Sequence, residues 1–263
     1  MTLPFVPESF RWVETSSGPL LKCVPLESIA PHLFTTRNVS LSSPEEWKAV
    51  ADLIGAPDAV TLTQIHGKEI VTIRRGGSRP DRRPDADAIV SNDATVAIAV
   101  RAADCVPLLL ADRKTGAVAA VHAGWRGTAA GAAAAAIAEL TREFGVEPRH
   151  VIAAIGPSIG PCCYEVGSEL VVAFAAAGHP RHLIDRWFSR PKREADASRR
   201  QGEKLYLDVP GANRDQLVLA GVPENQIYLS GLCTAMHLDV LTSYRVEKEK
   251  AGRLAAAIRA RGL

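Results

Sequence analysis

Residues Ala119–Gly131 read "AAVHAGWRGTAAG". The apolar run ahead of the histidine, "GAVAAVHA" from Gly116, is bounded by glycine and has the length of a buried strand. The run behind it, "TAAGAAAAAIAELTREFG", is alanine-rich, with Thr128 as the expected N-cap of a helix and Gly145 as its stop. His122 is therefore expected at a strand end and Arg126 near a helix start. There, unpaired N–H groups and the helix dipole favour an anion.

Outward from this turn, "AVTLTQIHGKEIVTI" (Ala59–Ile73) reads as two strands about a turn at Gly67. "ATVAIAVRAADCVPLLLAD" (Ala94–Asp112) reads as two buried strands separated by "RAADCV". Further on come a strand entering a Gly-Pro loop in "RHVIAAIGPSIGPCCYEVG" and a helix in "SELVVAFAAAG" ended by Gly178. "LYLDVPGANRDQLVLAGV" reads as a strand and then a helix from about Pro210, and "NQIYLSGLCTAMH" as a strand with a loop. "EKEKAGRLAAAIRARG" is expected to close the chain as an amphipathic helix, and the charged segment Asp185–Lys204 to be a solvated surface loop. No internal repeat or linker divides the chain, so residues 1–263 are expected to form a single α/β domain with mixed β-sheets. A regular βαβ repeat is missing, which argues against a doubly wound sheet.

The 263 residues are 47% hydrophobic and 23% charged, with a net charge of +2. That balance suits a globular chain with an ample core and is too mild to draw nucleic acid. The start "MTLPFVPESFRW" lacks a basic segment followed by an apolar one, and no run reaches the ~18 apolar residues of a membrane helix. Five cysteines is an odd number for a disulfide framework. Reduced thiols in a cytoplasmic protein, with no membrane or nucleic-acid partner, are the expectation.

Three side chains share a setting. His66 in "TQIHG", Cys105 in "AADCVP" and His122 each stand where an apolar strand meets a polar or glycine-containing turn. Two imidazoles and a thiolate suit zinc, with copper less favoured, and three protein ligands leave a fourth position open for water. Spacing alone does not separate this from structural histidines and a buried apolar cysteine, since no close pair such as His-Glu-X-X-His anchors it.

Eight segments occur together in order: "FTTR" (Phe34–Arg37), "TQIHG", "DADAIVS" (Asp85–Ser91), "ADCVPLLLAD", "AAVHAGWRGT", "AIGPSIGPCCYEVG", "LDVPGANRDQL" and "CT" (Cys233–Thr234). Together they resemble the laccase-domain family, long described as multicopper polyphenol oxidases and since reassigned as purine nucleoside phosphorylases. The resemblance implies an α/β/β/α layered fold and a zinc site of His66, Cys105 and His122. It also implies phosphorolysis of adenosine, inosine and methylthioadenosine, with adenosine deamination as a side activity. The chain departs from the family pattern after Arg37, where "RNVSLSS" lacks the usual Gly pair, and after Tyr244, where "SYRVEKEK" has only Arg245.

Such reactions ask for more than a metal. Arg126 and Arg37 are the candidates to hold phosphate, and Asp104 and Glu165 the candidate acid–base carboxylates. Gln64, two residues before His66, is a candidate substrate contact; Trp125 and Tyr164 are candidate stacking faces for a purine. Two rivals stay open. A metal-free cysteine hydrolase or deamidase would use a Cys105–His122 dyad and would not need His66. A binding module with a structural zinc would need a fourth ligand. A true laccase is excluded, because seven scattered histidines without a His-X-His pair cannot ligate a multicopper cluster.

Overall fold

Period-two alternation along the central strands sorts their side chains into three apolar layers. In the strand Val106–Asp112, Leu108 and Leu110 join one layer while Leu109 and Ala111 join the next. Val118–Ala123 repeats the pattern, with Ala119 and Val121 on the first side and Val118 and Ala120 on the second. In Ala97–Ala102, Ile98 and Val100 meet that second layer from across it, and Ala97 and Ala99 face a third. This computed structural model describes residues 2–190 and 204–262.

Two six-stranded sheets follow from these faces. The first runs in the order Phe10–Thr15, Gly18–Cys23, His32–Phe34, Leu254–Arg259, Ala97–Ala102, Ala59–Val60. The second runs Ile227–Leu229, Val151–Ile155, Val106–Asp112, Val118–Ala123, Ala88–Ser91, Ile70–Ile73. Antiparallel pairs dominate, with parallel ones at Ala59–Val60, Ile70–Ile73 and Ile227–Leu229. The sheets pack face to face over the shared layer. Helices Ala132–Phe144 and Val209–Leu219 cover the outer face of the second sheet, and helix Pro44–Asp52 that of the first. The layers are therefore α/β/β/α. Helix Ala132–Phe144 buries Ala133, Ala136, Ile137 and Leu140, the spacing of one helical face. Helix Pro44–Asp52 starts on a capping box made by Ser43 and Glu46. None of the described helices is long and apolar enough to cross a membrane.

Three sequence expectations are corrected. The C-terminal segment is the strand Leu254–Arg259, not a helix, and it pairs antiparallel with both His32–Phe34 and Ala97–Ala102. Its residues Leu254–Ile258 are all buried, so pairing inside a sheet overrides the helix preference of "LAAAI". Thr128 is not a cap: a short helix, Trp125–Ala129, already begins after Gly124, and Gly131 at φ 81° starts the longer one. Gly145, at φ 64°, does end it. Within Asp185–Lys204, the first residues complete helix Arg181–Trp187 and the strand Phe188–Ser189, with Trp187 buried. Residues 191–203 of that expected loop lie outside the described residues.

His32 ties the first sheet to its connecting turn. Its Nδ1–H donates to the Ala30 carbonyl and its Nε2 accepts from the Cys23 amide, each at 2.9 Å. Only a neutral ring can do both, and burial pushes its pKa from 6.5 down to about 4. Between these values the unfolded chain carries the extra proton. The His32 contribution is therefore complete above the upper value and is lost as pH falls towards the lower one. His32→Gln should flatten the fall in stability across this window by up to about 3 kcal/mol, read as the difference in urea midpoints on either side of it. Parallel pH profiles for the two proteins would show that His32 does not titrate against folding.

Candidate metal centre and active site

Asp87, fully buried just ahead of the strand Ala88–Ser91, organises one end of the sandwich. Its carboxylate accepts from the backbone amides of Ile65 (3.3 Å), His66 (3.0 Å) and Gly67 (2.6 Å). It also accepts from Nδ1–H of His122 at 2.8 Å. Burial works against this carboxylate, but His122 and the Gly67 and His66 amides hold its pKa below the ordinary aspartate value. The three amide hydrogen bonds hold the Ile65–Gly67 turn, in which His66 takes a left-handed φ of 62°. The fourth fixes the His122 tautomer and leaves Nε2 to face Cys105.

Cys105 arrives from the neighbouring strand. Pro107 pairs with His122 and Val106 with Ala123, which sets Cys105 beside Gly124 at the same sheet end. The preceding Asp104 takes φ 84°; its carboxylate accepts from Thr234 Oγ1 and from the Arg245 amide, each at 2.6 Å. One ligand-type atom from each of His66, Cys105 and His122 lies within 4.8 Å of the others. The two imidazoles stand edge to face, 5.0 Å between centroids. Burial pushes the Cys105 thiol up, but His122 and His66 bring it down to about 6; burial pushes His122 down, but Asp87 and Cys105 carry it up to about 9. A thiolate with imidazole partners is a donor set for a transition metal. Gly124 is required by closeness alone: a Cβ there would stand 2.7 Å from the Cys105 sulfur.

The cluster opens into a cavity of about 750 Å³. Of the residues singled out from sequence, Gln64, Asp104, Trp125 and Tyr164 line it together with His66, Cys105 and His122. Gln64 has its amide engaged, donating to the Arg101 carbonyl (2.7 Å) and accepting from the Arg101 amide (2.8 Å). Arg37, Arg126 and Glu165 are not among the lining residues. Arg37 pairs with Glu247 at 3.0 Å, Arg126 is exposed and lies over the Trp125 ring at 4.6 Å, and Glu165 pairs with Lys204 at 3.0 Å.

Arg101, Tyr244 and Arg253 line the cavity without having been marked in the sequence. Among the described residues, no carboxylate pairs with the partly buried Arg101 guanidinium. Burial, and then the charges of Arg83 and Arg253, hold its pKa below the usual guanidinium value. Asp87 was also unmarked, although "DADAIVS" carries it; an aspartate next to an apolar strand and level with two candidate ligands was the available signal.

The sequence pattern of the multi-copper polyphenol oxidoreductase laccase family matches residues 33–261. The chain belongs to that family. It is 36% identical over 172 residues to a purine nucleoside phosphorylase of Bacteroides thetaiotaomicron, covering 65% of this chain and 60% of that protein. It is 40% identical over 148 residues to the adenosine deaminase RL5 of an unknown prokaryotic organism, covering 56% and 52%. The chain thus spans between half and two thirds of those relatives. The crystal structure of a Bacillus licheniformis hypothetical protein, YfiH, superimposes with a TM-score of 0.82 at 28% identity, covering 97% of this chain and 100% of that one. The shared single-domain fold with mixed sheets is the one described above.

Asp87→Asn should weaken metal binding about 10- to 100-fold, because the His122 imidazole loses its anionic partner. Gly124→Ala should abolish it while the far-ultraviolet spectrum stays native. Metal content after dialysis against a chelator reads both, and full retention in either variant would show that these contacts do not shape the cluster.

Proposed function

We propose that this chain is a zinc-dependent purine nucleoside phosphorylase acting on adenosine, inosine and methylthioadenosine, with adenosine deamination as a side activity. One observation carries the reading: a single cavity joins the His66–Cys105–His122 cluster, aromatic faces from Trp125, Tyr164 and Tyr244, and an arginine with no acidic partner among the described residues. The names of the relatives, a phosphorylase and a deaminase, support it. We place the reaction in the cytoplasm, on small molecules alone, with no nucleic acid or membrane partner.

Zinc suits the donor set of two imidazoles and one thiol, and Asp87 supplies the carboxylate that orients a ligand histidine. When bound, it would supply Lewis acidity towards an oxygen of the substrate or of water. Copper is less favoured, since the chain lacks the His-X-His pairs of a multicopper oxidase.

In phosphorolysis a phosphate oxygen bonds to the anomeric carbon of the ribose as the glycosidic C–N bond breaks. The electron pair leaves with the purine, which gains a proton. The phosphate needs fixed positive charge, and Arg101 is better set than Arg37 or Arg126 because it lines the cavity and has no carboxylate partner among the described residues. Arg253, on the same wall, adds a second cation. Asp104 is the carboxylate we assign to proton transfer in both reactions, held in place by Thr234 and the Arg245 backbone. Glu165, paired with Lys204 and off the lining, keeps no such role in this scheme. Trp125 and Tyr164 offer flat apolar faces to the purine. The Cys105–His122 dyad is the less favoured reading, because a third ligand-type side chain, His66, closes on the same point.

His66→Ala, Cys105→Ala and His122→Ala should each lose zinc and both activities, read by metal content and by purine release. A dyad hydrolase would instead keep its activity in His66→Ala. Arg101→Ala should keep zinc and adenosine deamination but raise the KM for phosphate about tenfold or more, the loss of one charge-assisted hydrogen bond. Arg126→Ala should move it far less. Equal falls of phosphorolysis and deamination in Arg101→Ala would show a structural role instead.

A further inference from the structure

The five described cysteines are all free, and three of them meet away from the cavity cluster. The sulfurs of Cys162, Cys163 and Cys233 lie within 4.8 Å of one another, with 3.4 Å between Cys162 and Cys163. They come from two segments that the backbone holds together. Ser158 bridges Cys233, the Ser158 amide donates to the Leu232 carbonyl, and the Thr234 amide donates to the Ser158 carbonyl. The turn from Gly160 to Tyr164 is closed by hydrogen bonds that the Cys163 and Tyr164 amides donate to the Gly160 carbonyl. Cys233 is buried, and its sulfur accepts from the Gly160 amide at 3.3 Å. A side cavity of about 150 Å³ lies against Cys233 and Gly160.

We propose that Cys162, Cys163 and Cys233 form a second cation site, independent of His66, Cys105 and His122, for a thiophilic d10 ion: zinc or monovalent copper. The three sulfurs converge on one point, and a soft cation there would take a thiolate lone pair from each. Each ligating thiol gives its proton to solvent, each sulfur donates a pair to the ion, and no atom changes oxidation state. An all-sulfur set excludes magnesium and calcium, which require oxygen ligands, and leaves zinc one position for water.

The location gives the site a consequence for the cavity. Thr234, next to Cys233, donates to the Asp104 carboxylate, and the Asp104 carbonyl accepts from Ile159 at 2.9 Å. Tyr164, next to Cys163, lines the cavity. An ion held by the three sulfurs would clamp together the two segments that position Asp104 and Tyr164.

The test uses the full chain, reduced and anaerobic, loaded in separate arms with zinc and with monovalent copper against a competing chelator. Metal per chain, free thiols by alkylation and X-ray absorption at the metal edge are the readouts. In at least one arm a second equivalent should bind with sulfur as its only protein donor and protect the three thiols from alkylation. It should be lost in Cys162→Ser/Cys163→Ser and kept in His122→Ala. The double variant spares the buried Cys233, so a native unfolding midpoint separates loss of the ion from loss of the fold. No second equivalent in either arm, or one that persists in the double variant, would overturn the site.

Discussion

One buried carboxylate ties the sheet to the site. Asp87 cannot sit in an apolar sandwich unless its oxygens are satisfied, because an uncompensated buried charge costs several kcal/mol. It finds three amides on the His66 turn and one imidazole N–H on His122. The same bonds that make its burial tolerable hold two imidazoles, from distant parts of the chain, edge to face. The left-handed His66 backbone, disfavoured for any residue but glycine, is held by this network rather than by local preference.

The second constraint is closeness. Cys105 and His122 leave adjacent antiparallel strands at one end, where strand spacing brings side chains together. Gly124 then lets the chain turn away without a side chain colliding with the Cys105 sulfur. The alanines of Val118–Ala123, fully buried on both faces, let that strand run between a sheet partner layer and a helix layer. Stability and site geometry therefore use the same residues.

Charge in the cavity is distributed less obviously. Arg37 and Arg126, attractive in the sequence because of the motifs around them, lie off the cavity lining: one pairs with Glu247 and the other lies over the Trp125 ring. Arg101, between Val100 and Ala102 at the end of an apolar strand, lines the cavity with Arg253 close enough to repel it. Arg253 reaches this wall only because the segment after it is a strand in the first sheet. A C-terminal helix would have left the wall unspecified.

The amino-acid sequence by itself determined the alternating central strands, the helix ended by Gly145, and the turns bearing His66, Cys105 and His122. Each of these depends on local periodicity or on glycine placement. It also held the motif set that marks the family. Tertiary structure alone decided the rest. "LAAAI" became a strand because two sheet neighbours supply its hydrogen bonds, a gain larger than alanine's helical preference. Asp87 became the organiser because its partners lie 20 to 35 positions away, beyond any local pattern. Which arginines face the cavity, and which cysteines meet, depended on how segments far apart in the chain pack, and the order of residues does not encode that separately from the fold.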